Sequence, residues 1–239
     1  MIKLDLTRDR FFEALTAGDR VAARAAMREA LRNGSTIETL LNSVCFPVYE
    51  RIETLFRSDA LTNVQYHLAT RLLRMLVDQA AAGLPQARSN GRTVFAVCGE
   101  SQSEELAAQM VVDLLEASGC TVHFCGGGVP SDEILAQVHD RRPDVLLVFA
   151  ASAKDLPGIR ETIDRIREIG ASDRTQIVVG GGVFNRAEGL ADEIHCDLWA
   201  LTPLETVSVV LTGQMQRERT TAGPVAKIGG KPRQQRKAA

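Results

Sequence analysis

The rhythm of the second half of the chain sets the fold. From residue 93 onward, five short apolar runs recur at 93–98, 121–125, 144–150, 176–180 and 197–201. Each is followed by a glycine-bearing or polar turn and then by a stretch of helical periodicity. Runs apolar at successive positions, as at 94–98 and 145–150, suit strands buried on both faces, while 121–125 alternates at His123; strand–helix repetition folds as a parallel sheet covered by helices. Helices are predicted at 103–118, 131–140, 157–169, 186–191 and 204–213. Glycines collect where strands end, at Gly99, at Gly126, Gly127 and Gly128, and at Gly180, Gly181 and Gly182. In such sheets ligands bind at the carboxyl ends of the strands. A missing Cβ lets a bulky ligand lie close to the backbone.

The first half has no strand signal. Residues 8 to about 85 read as four helices with short loops, which implies a small antiparallel bundle. Asn33-Gly34 is a helix stop. Ser35 with Glu38 three residues on reads as a capping box. Pro47 should kink or break the third helix. The polar stretch 87–92 is the predicted boundary. The expected organisation is a helical bundle over 1–88, a five-stranded parallel flavodoxin- or Rossmann-like domain over 92–213, and a tail over 214–239. The tail holds seven Lys/Arg against one Glu and is expected to be disordered.

Bulk properties exclude several classes. A net charge of -2 gives no whole-chain argument for nucleic acid, leaving only a weak contact through the basic tail. No apolar run approaches the 18 residues of a membrane span, and the first residues lack the apolar core of a secretory signal. Five cysteines with no CxxC pattern read as reduced thiols of a cytoplasmic protein.

The common catalytic signatures are missing too. There is no GxxxxGK[ST] phosphate loop, no GxGxxG after the first strand and no GxSxG elbow. Glu104 and Glu105 are adjacent on a helix and point apart, so they read as first-turn acids favoured by the helix dipole. No enzyme is expected.

Helical bundle, short linker and five-stranded domain, in that order, resemble the cobalamin-binding modules of corrinoid methyl carriers and adenosylcobalamin photoreceptors. The resemblance covers roughly residues 8 to 213. In that family the first strand leads into Asp-x-His-x-x-Gly, whose His is the lower cobalt ligand, oriented by the Asp. Here Gly99 fits, but Glu100 stands at the Asp position, Gln102 at the His position and Glu105 at the Gly position. A Gln side chain is a poor cobalt ligand. The family's Ser-x-Leu after the third strand falls at Phe149 and Ala151, while its Gly-Gly after the fourth is kept as Gly180-Gly181. Both line the channel for the nucleotide tail in the family. On the bundle side, Phe56 lies ten residues before Tyr66-His67. The spacing matches that of the photoreceptors' Trp and Glu-His, so the resemblance makes His67 the candidate upper ligand.

These matches imply a ligand cavity between bundle and sheet, walled by Phe56, Tyr66 and Phe149. Cys98 and Cys125 are nearby thiols able to link to a bilin or to ligate haem iron. With the lower His absent, the expected function is a light or redox sensor. It would bind a tetrapyrrole (bilin, haem or atypically held cobalamin) and signal to a regulatory partner or through a homo-oligomer. The alternatives are a corrinoid methyl carrier for a methyltransferase and a ligand-free scaffold.

Overall fold

The computed structural model describes residues 2–100, 102–170, 174–187 and 189–213. The tail beyond 213 and Ser101 lie outside the described residues, as does the side chain of Gln102.

The bundle comprises α1 (Ile2–Thr16), α2 (Arg20–Arg32), α3 (Ile37–Leu40), α4 (Phe46–Arg57) and α5 (Asn63–Ala81). Local chemistry fixes the ends. Asp19 caps α2 by accepting from the amides of Val21 and Ala22. Thr62 and Gln65 form a reciprocal capping box on α5. The predicted cap at Ser35 belongs instead to Thr36, which accepts from Thr39 N.

Pro47 does not break the third helix. A π-turn, Leu41–Cys45, joins α3 to α4, and Pro47 follows it within the first turn of α4. Proline has no N–H to offer the carbonyl four residues back. That carbonyl, on Ser43, accepts instead from Arg8 Nε of α1 at 2.6 Å. The irregularity is thus satisfied from a neighbouring helix.

The second half forms β1 (Thr93–Cys98), α6 (Gln102–Ala117), β2 (Thr121–Gly127), α7 (Ser131–Arg141), β3 (Val145–Phe149), α8 (Leu156–Ile169), β4 (Gln176–Gly180), α9 (Gly182–Arg186), α10 (Leu190–Glu193), β5 (Leu198–Ala200) and α11 (Pro203–Thr212). The single helix expected over 186–191 is two short ones, because Ala187 turns to an extended conformation. All pairings are parallel, in the order β2-β1-β3-β4-β5. Register aligns Gly127, Cys98, Phe149, Gly180 and Ala200 in one row across the carboxyl end.

Alternate strand residues face opposite ways. Val94, Ala96, Val145, Leu147, Phe149 and Val178 join a core shared with α6, α11 and the bundle. Phe95, Val97, Leu146, Val148, Ile177 and Val179 pack under α7 and α8. The bundle therefore sits against the α6–α11 side and the strand ends. Polar contacts hold the seam. Asn185 Nδ2 donates to Glu50 Oε1 at 2.7 Å, Leu204 N donates to Asn42 Oδ1 at 3.0 Å, and Arg74 pairs with Glu105 at 3.5 Å.

Candidate functional site

A cleft of about 310 Å³ opens where α4 crosses the strand ends. Tyr49, Glu53 and Arg57 line it from the bundle, and Ala151, Gly182 and Arg186 from the sheet. Tyr49, Glu53 and Arg57 recur every fourth residue, so they share one face of α4. Glu53 is 8% exposed. It accepts from Tyr66 Oη at 2.8 Å and from Arg57 at 3.4 Å. The Tyr49 hydroxyl is buried and has no hydrogen-bond partner. Burial, then the Glu53 carboxylate, push its phenol well above the usual range, so it stays a neutral donor. Burial also raises Glu50, against the opposing Asn185 bond. Arg186 donates to the Ala151 carbonyl at 2.6 Å; burial and then Arg57 lower its pKa.

The aromatic wall is arranged differently from the expectation. Phe56 and Tyr66 stack on each other, with ring centroids 3.8 Å apart and planes 13° off parallel. The rings leave no slot between them for a flat ligand. His67 is exposed and meets the edge of Tyr66 at 5.6 Å. Among the described residues no group of three or more His, Cys, Asp or Glu side chains forms a metal site.

The glycine-rich loops are occupied by the chain itself. A Cβ on Gly99 would lie 2.6 Å from the Glu104 carboxylate, one on Gly127 would lie 2.1 Å from Gly99 O, and one on Gly181, at φ 105°, would lie 2.3 Å from Ala150 O. A Cβ on Gly180 would meet the Phe149 ring at 3.1 Å. The backbone ladder continues past the strand ends, with Gly99 N on Phe149 O and Ala150 N on Gly180 O, each at 3.0 Å. Glu104, read from sequence as a first-turn acid favoured by the helix dipole, is 3% exposed. Its Oε1 accepts from Ala151 N at 2.7 Å and Ser152 N at 3.2 Å, stitching α6 to the end of β3. Glu105 faces the bundle and pairs with Arg74. Glu100 is exposed beside β1.

The two thiols differ. Burial, then Glu105 and Glu104, hold Cys98 up at about 12, so it is a neutral thiol. Cys125 is exposed on the edge strand β2. Sequence reasoning missed Tyr49, Glu53, Arg57, Arg186 and Glu104. The four-residue spacing on α4 was the available signal for three of them.

Two family models, each described as a B12 binding domain, match residues 92–209 and residues 7–80. The chain belongs to the B12-binding-domain family. Dimethylamine corrinoid protein 3 of Methanosarcina mazei is 25% identical over 127 residues, which are 52% of this chain and 75% of that protein. Dimethylamine corrinoid protein 1 of the same organism is 23% identical over 198 residues, 82% of this chain and 90% of that protein. Other dimethylamine corrinoid proteins, from Methanosarcina acetivorans, match over 59% and 50% of their length. Among solved structures, the monomethylamine corrinoid protein of Methanosarcina barkeri superposes with a TM-score of 0.77. That match covers 88% of this chain and 99% of the other at 15% identity, a likeness of fold.

These findings overturn the expectation of a light or redox sensor. The relatives are corrinoid proteins of methylamine systems, and nothing in them supports a bilin or haem. The expectation of a non-enzyme stands with corrinoid proteins as relatives. No helix among the described residues is long and apolar enough to cross a membrane.

The residues fit a corrinoid unevenly. Two guanidiniums line the cleft beside the strand ends, with Tyr49, whose buried hydroxyl is unpartnered, a set suited to an amide-fringed ring. Its volume is at the low end of small-molecule sites, which run from about 300 to 1,000 Å³. Below the cleft, the places where a nucleotide tail would thread are filled by Glu104, Phe149 and backbone. Gln102 supplies no imidazole from below.

Proposed function

We propose that this chain is a corrinoid carrier serving a methyltransferase, with the ring held at the seam between bundle and sheet. One observation carries the reading: Tyr49, whose buried hydroxyl has no hydrogen-bond partner, lines a cleft at the strand ends, in a chain whose two halves both match B12-binding domains. A bound corrinoid supplies the cobalt that carries a methyl group. The residues bind and orient it. Tyr49 donates to a peripheral amide, Arg57 and Arg186 donate to further carbonyls, and the stacked Phe56–Tyr66 pair shields the ring from water. Full seating of the macrocycle requires the bundle to lift, and the Asn185–Glu50 bond is the contact that yields. The partner is a methyltransferase that reaches the exposed side of the same seam. A reducing, cytoplasmic setting belongs to the proposal, since all five cysteines are free.

The test is loading of the purified full chain with hydroxocobalamin and methylcobalamin, followed by gel filtration and absorbance. Co-elution of corrinoid in a 1:1 ratio is expected. A chain that stays colourless with both corrinoids refutes the proposal and leaves a scaffold. Methyl transfer from the loaded chain to a thiol acceptor, dependent on an added methyltransferase, separates a carrier from a mere binder.

A further inference from the structure

The second helix carries a charge pattern that the fold leaves unanswered. Arginine recurs at Arg20, Arg24, Arg28 and Arg32, every fourth residue of α2. That spacing makes the four side chains neighbours along one ridge, where like charges repel and weaken a helix. Arg32 suits the carboxyl end of the helix dipole, while Arg20, in the first turn, opposes it. The one acid of α2, Glu29, pairs with Arg10 of α1. Among the described residues no carboxylate pairs with any of the four, nor with Arg71 of α5. Outside the tail the chain holds 21 Lys/Arg against 29 Asp/Glu, so this bare basic ridge runs against the charge of the body.

The ridge begins at a groove of about 750 Å³ between the first turn of α2, the outer side of α5 and the first turn of α6. Arg20, Arg71 and Arg74 line it, and of these Arg74 is answered by Glu105. Arg20 and Arg24 both direct a guanidinium N–H at Met75 Sδ, at 3.9 and 3.7 Å, so two like charges converge on one thioether. Sulfur is a weak acceptor and supplies no counter-charge. Apolar surface continues the groove toward the start of α5. Val64, Leu68, Arg71 and Met75 follow the spacing of a single helix stripe. Val64 is 69% exposed, and the half-exposed Leu68 lies over Gly18 at the turn into α2. Val21, next to Arg20, is 73% exposed.

Both halves of this surface need a partner, and together they define its chemistry. A phosphate backbone would answer the arginines but leave Val21, Val64 and Leu68 uncovered, and Asp78 and Glu105 on the groove wall would repel it. An amphipathic helix with acids on one side supplies both parts, apolar anchors and carboxylates. Guanidiniums pair with carboxylates through two parallel hydrogen bonds. Met75 at the centre adapts to the shape of whatever side chain meets it. From Arg20 to Arg32 the ridge runs about 18 Å, the length of a helix of about three turns.

We propose that the face formed by α2 and α5 docks an acidic amphipathic helix of a partner protein. Its apolar side lies over Leu68 and Met75, and its carboxylates meet Arg20, Arg24, Arg28 and Arg71. The inference does not depend on the carrier reading, because the cleft at the seam shares no lining residue with this groove and corrinoid loading is measured separately.

The test is fluorescence anisotropy of the full chain with a labelled helical peptide of about 14 residues, Leu along one side and Glu along the other. The controls are a scrambled peptide of the same composition and a short DNA duplex. The amphipathic peptide should bind saturably, about 10-fold or more tighter than either control, and more weakly as salt rises. Arg28→Glu and Arg71→Glu replace exposed side chains, and the first also turns two repulsive steps of the ridge into attractive ones. Arg28→Glu should therefore keep or raise the Tm, and the double variant should weaken peptide binding by about 10-fold or more. No binding, equal binding of the scrambled peptide, tighter binding of DNA, or undiminished binding by the double variant would each overturn the proposal. So would a fall in Tm on Arg28→Glu, which would make the ridge a support of the fold.

Discussion

Replacing Glu104 with alanine tests the central structural finding, that the loops after β1 and β3 are sealed by a buried carboxylate. The substitution leaves the amides of Ala151 and Ser152, now bonded at 2.7 and 3.2 Å, without an acceptor. Hydrogen bonds to a charged group contribute about 1.5–3 kcal/mol each, with the longer bond at the low end. Against this stands relief of Asp155. Its carboxyl is held above the usual range first by burial and next by the Glu104 charge. The expected net loss is about 2–4 kcal/mol. Glu104→Gln, which keeps an acceptor oxygen and drops the charge, should lose about half as much. Urea unfolding followed by fluorescence of Trp199, the single tryptophan, measures both.

The pH dependence supplies a second readout. Because the folded-state pKa of Asp155 is raised, its contribution to stability is complete below the ordinary aspartate value. It is lost as pH rises through the folded value. That part of the slope should flatten in Glu104→Ala. A loss under about 1 kcal/mol, with the wild-type slope retained, would refute the seal.

Other substitutions probe separate links. Burial raises Asp113 to about 6, despite its bond from Gln109. Its contribution is present below pH 3.8 and lost as pH rises through 6. Asp113→Asn should therefore stabilise by about 1 kcal/mol at pH 7.5, a figure reduced for partial exposure, and make no difference below pH 4 in thermal melts. Tyr49→Phe removes a buried hydroxyl with no partner. It should leave the corrinoid-free chain unchanged or up to about 1 kcal/mol more stable, while weakening cobalamin binding several-fold in absorbance titrations. Gly181→Ala places a Cβ 2.3 Å from Ala150 O at a φ of 105°. It should cost at least 2–3 kcal/mol, roughly, in chemical denaturation. Arg8→Leu strips the acceptor of Ser43 O of its donor and should cost about 1–2 kcal/mol by the same assay.

The sheet was legible because a strand buried on both faces must be apolar at every position. Val145–Phe149, and β4 after Gln176, could hardly be read otherwise. The bundle was legible from spacing and turn residues, apart from features decided by distant partners. Pro47 is an example. Its effect on the helix is settled by Arg8, 39 residues earlier, donating to the carbonyl that proline leaves free. The site was less legible for the same reason. Spacing brings Phe56 and Tyr66 forward as aromatics that would wall a ligand, and they stack on each other instead. Whether two rings flank a ligand or stack on each other is fixed by the crossing of α4 and α5, which spacing does not encode.

The glycines give the sharper lesson. A glycine at a strand end signals that something approaches the backbone closely, and the sequence does not say what. At Gly99 the visitor is the Glu104 carboxylate; at Gly127 and Gly181 it is the chain's own carbonyls. Gly128 and Gly158 meet no heavy atom and are exposed, and Gly128 answers instead to its φ of 73°. Glu104 went unrecognised because a first-turn acid is ordinarily solvated and favoured by the helix dipole. Its acceptor role depends on two amides 47 and 48 residues away. The departure at position 105 follows from the same arrangement. A family position that resembles a tail passage carries Glu105, and its pairing with Arg74 turns it into a tie between α6 and α5. Gln102 at the position where the resemblance expects a histidine and the filling of the neighbouring loops by Glu104, Phe149 and backbone go together. Under the carrier reading proposed above, the ring is therefore met at the seam lined by Tyr49 and not through these loops.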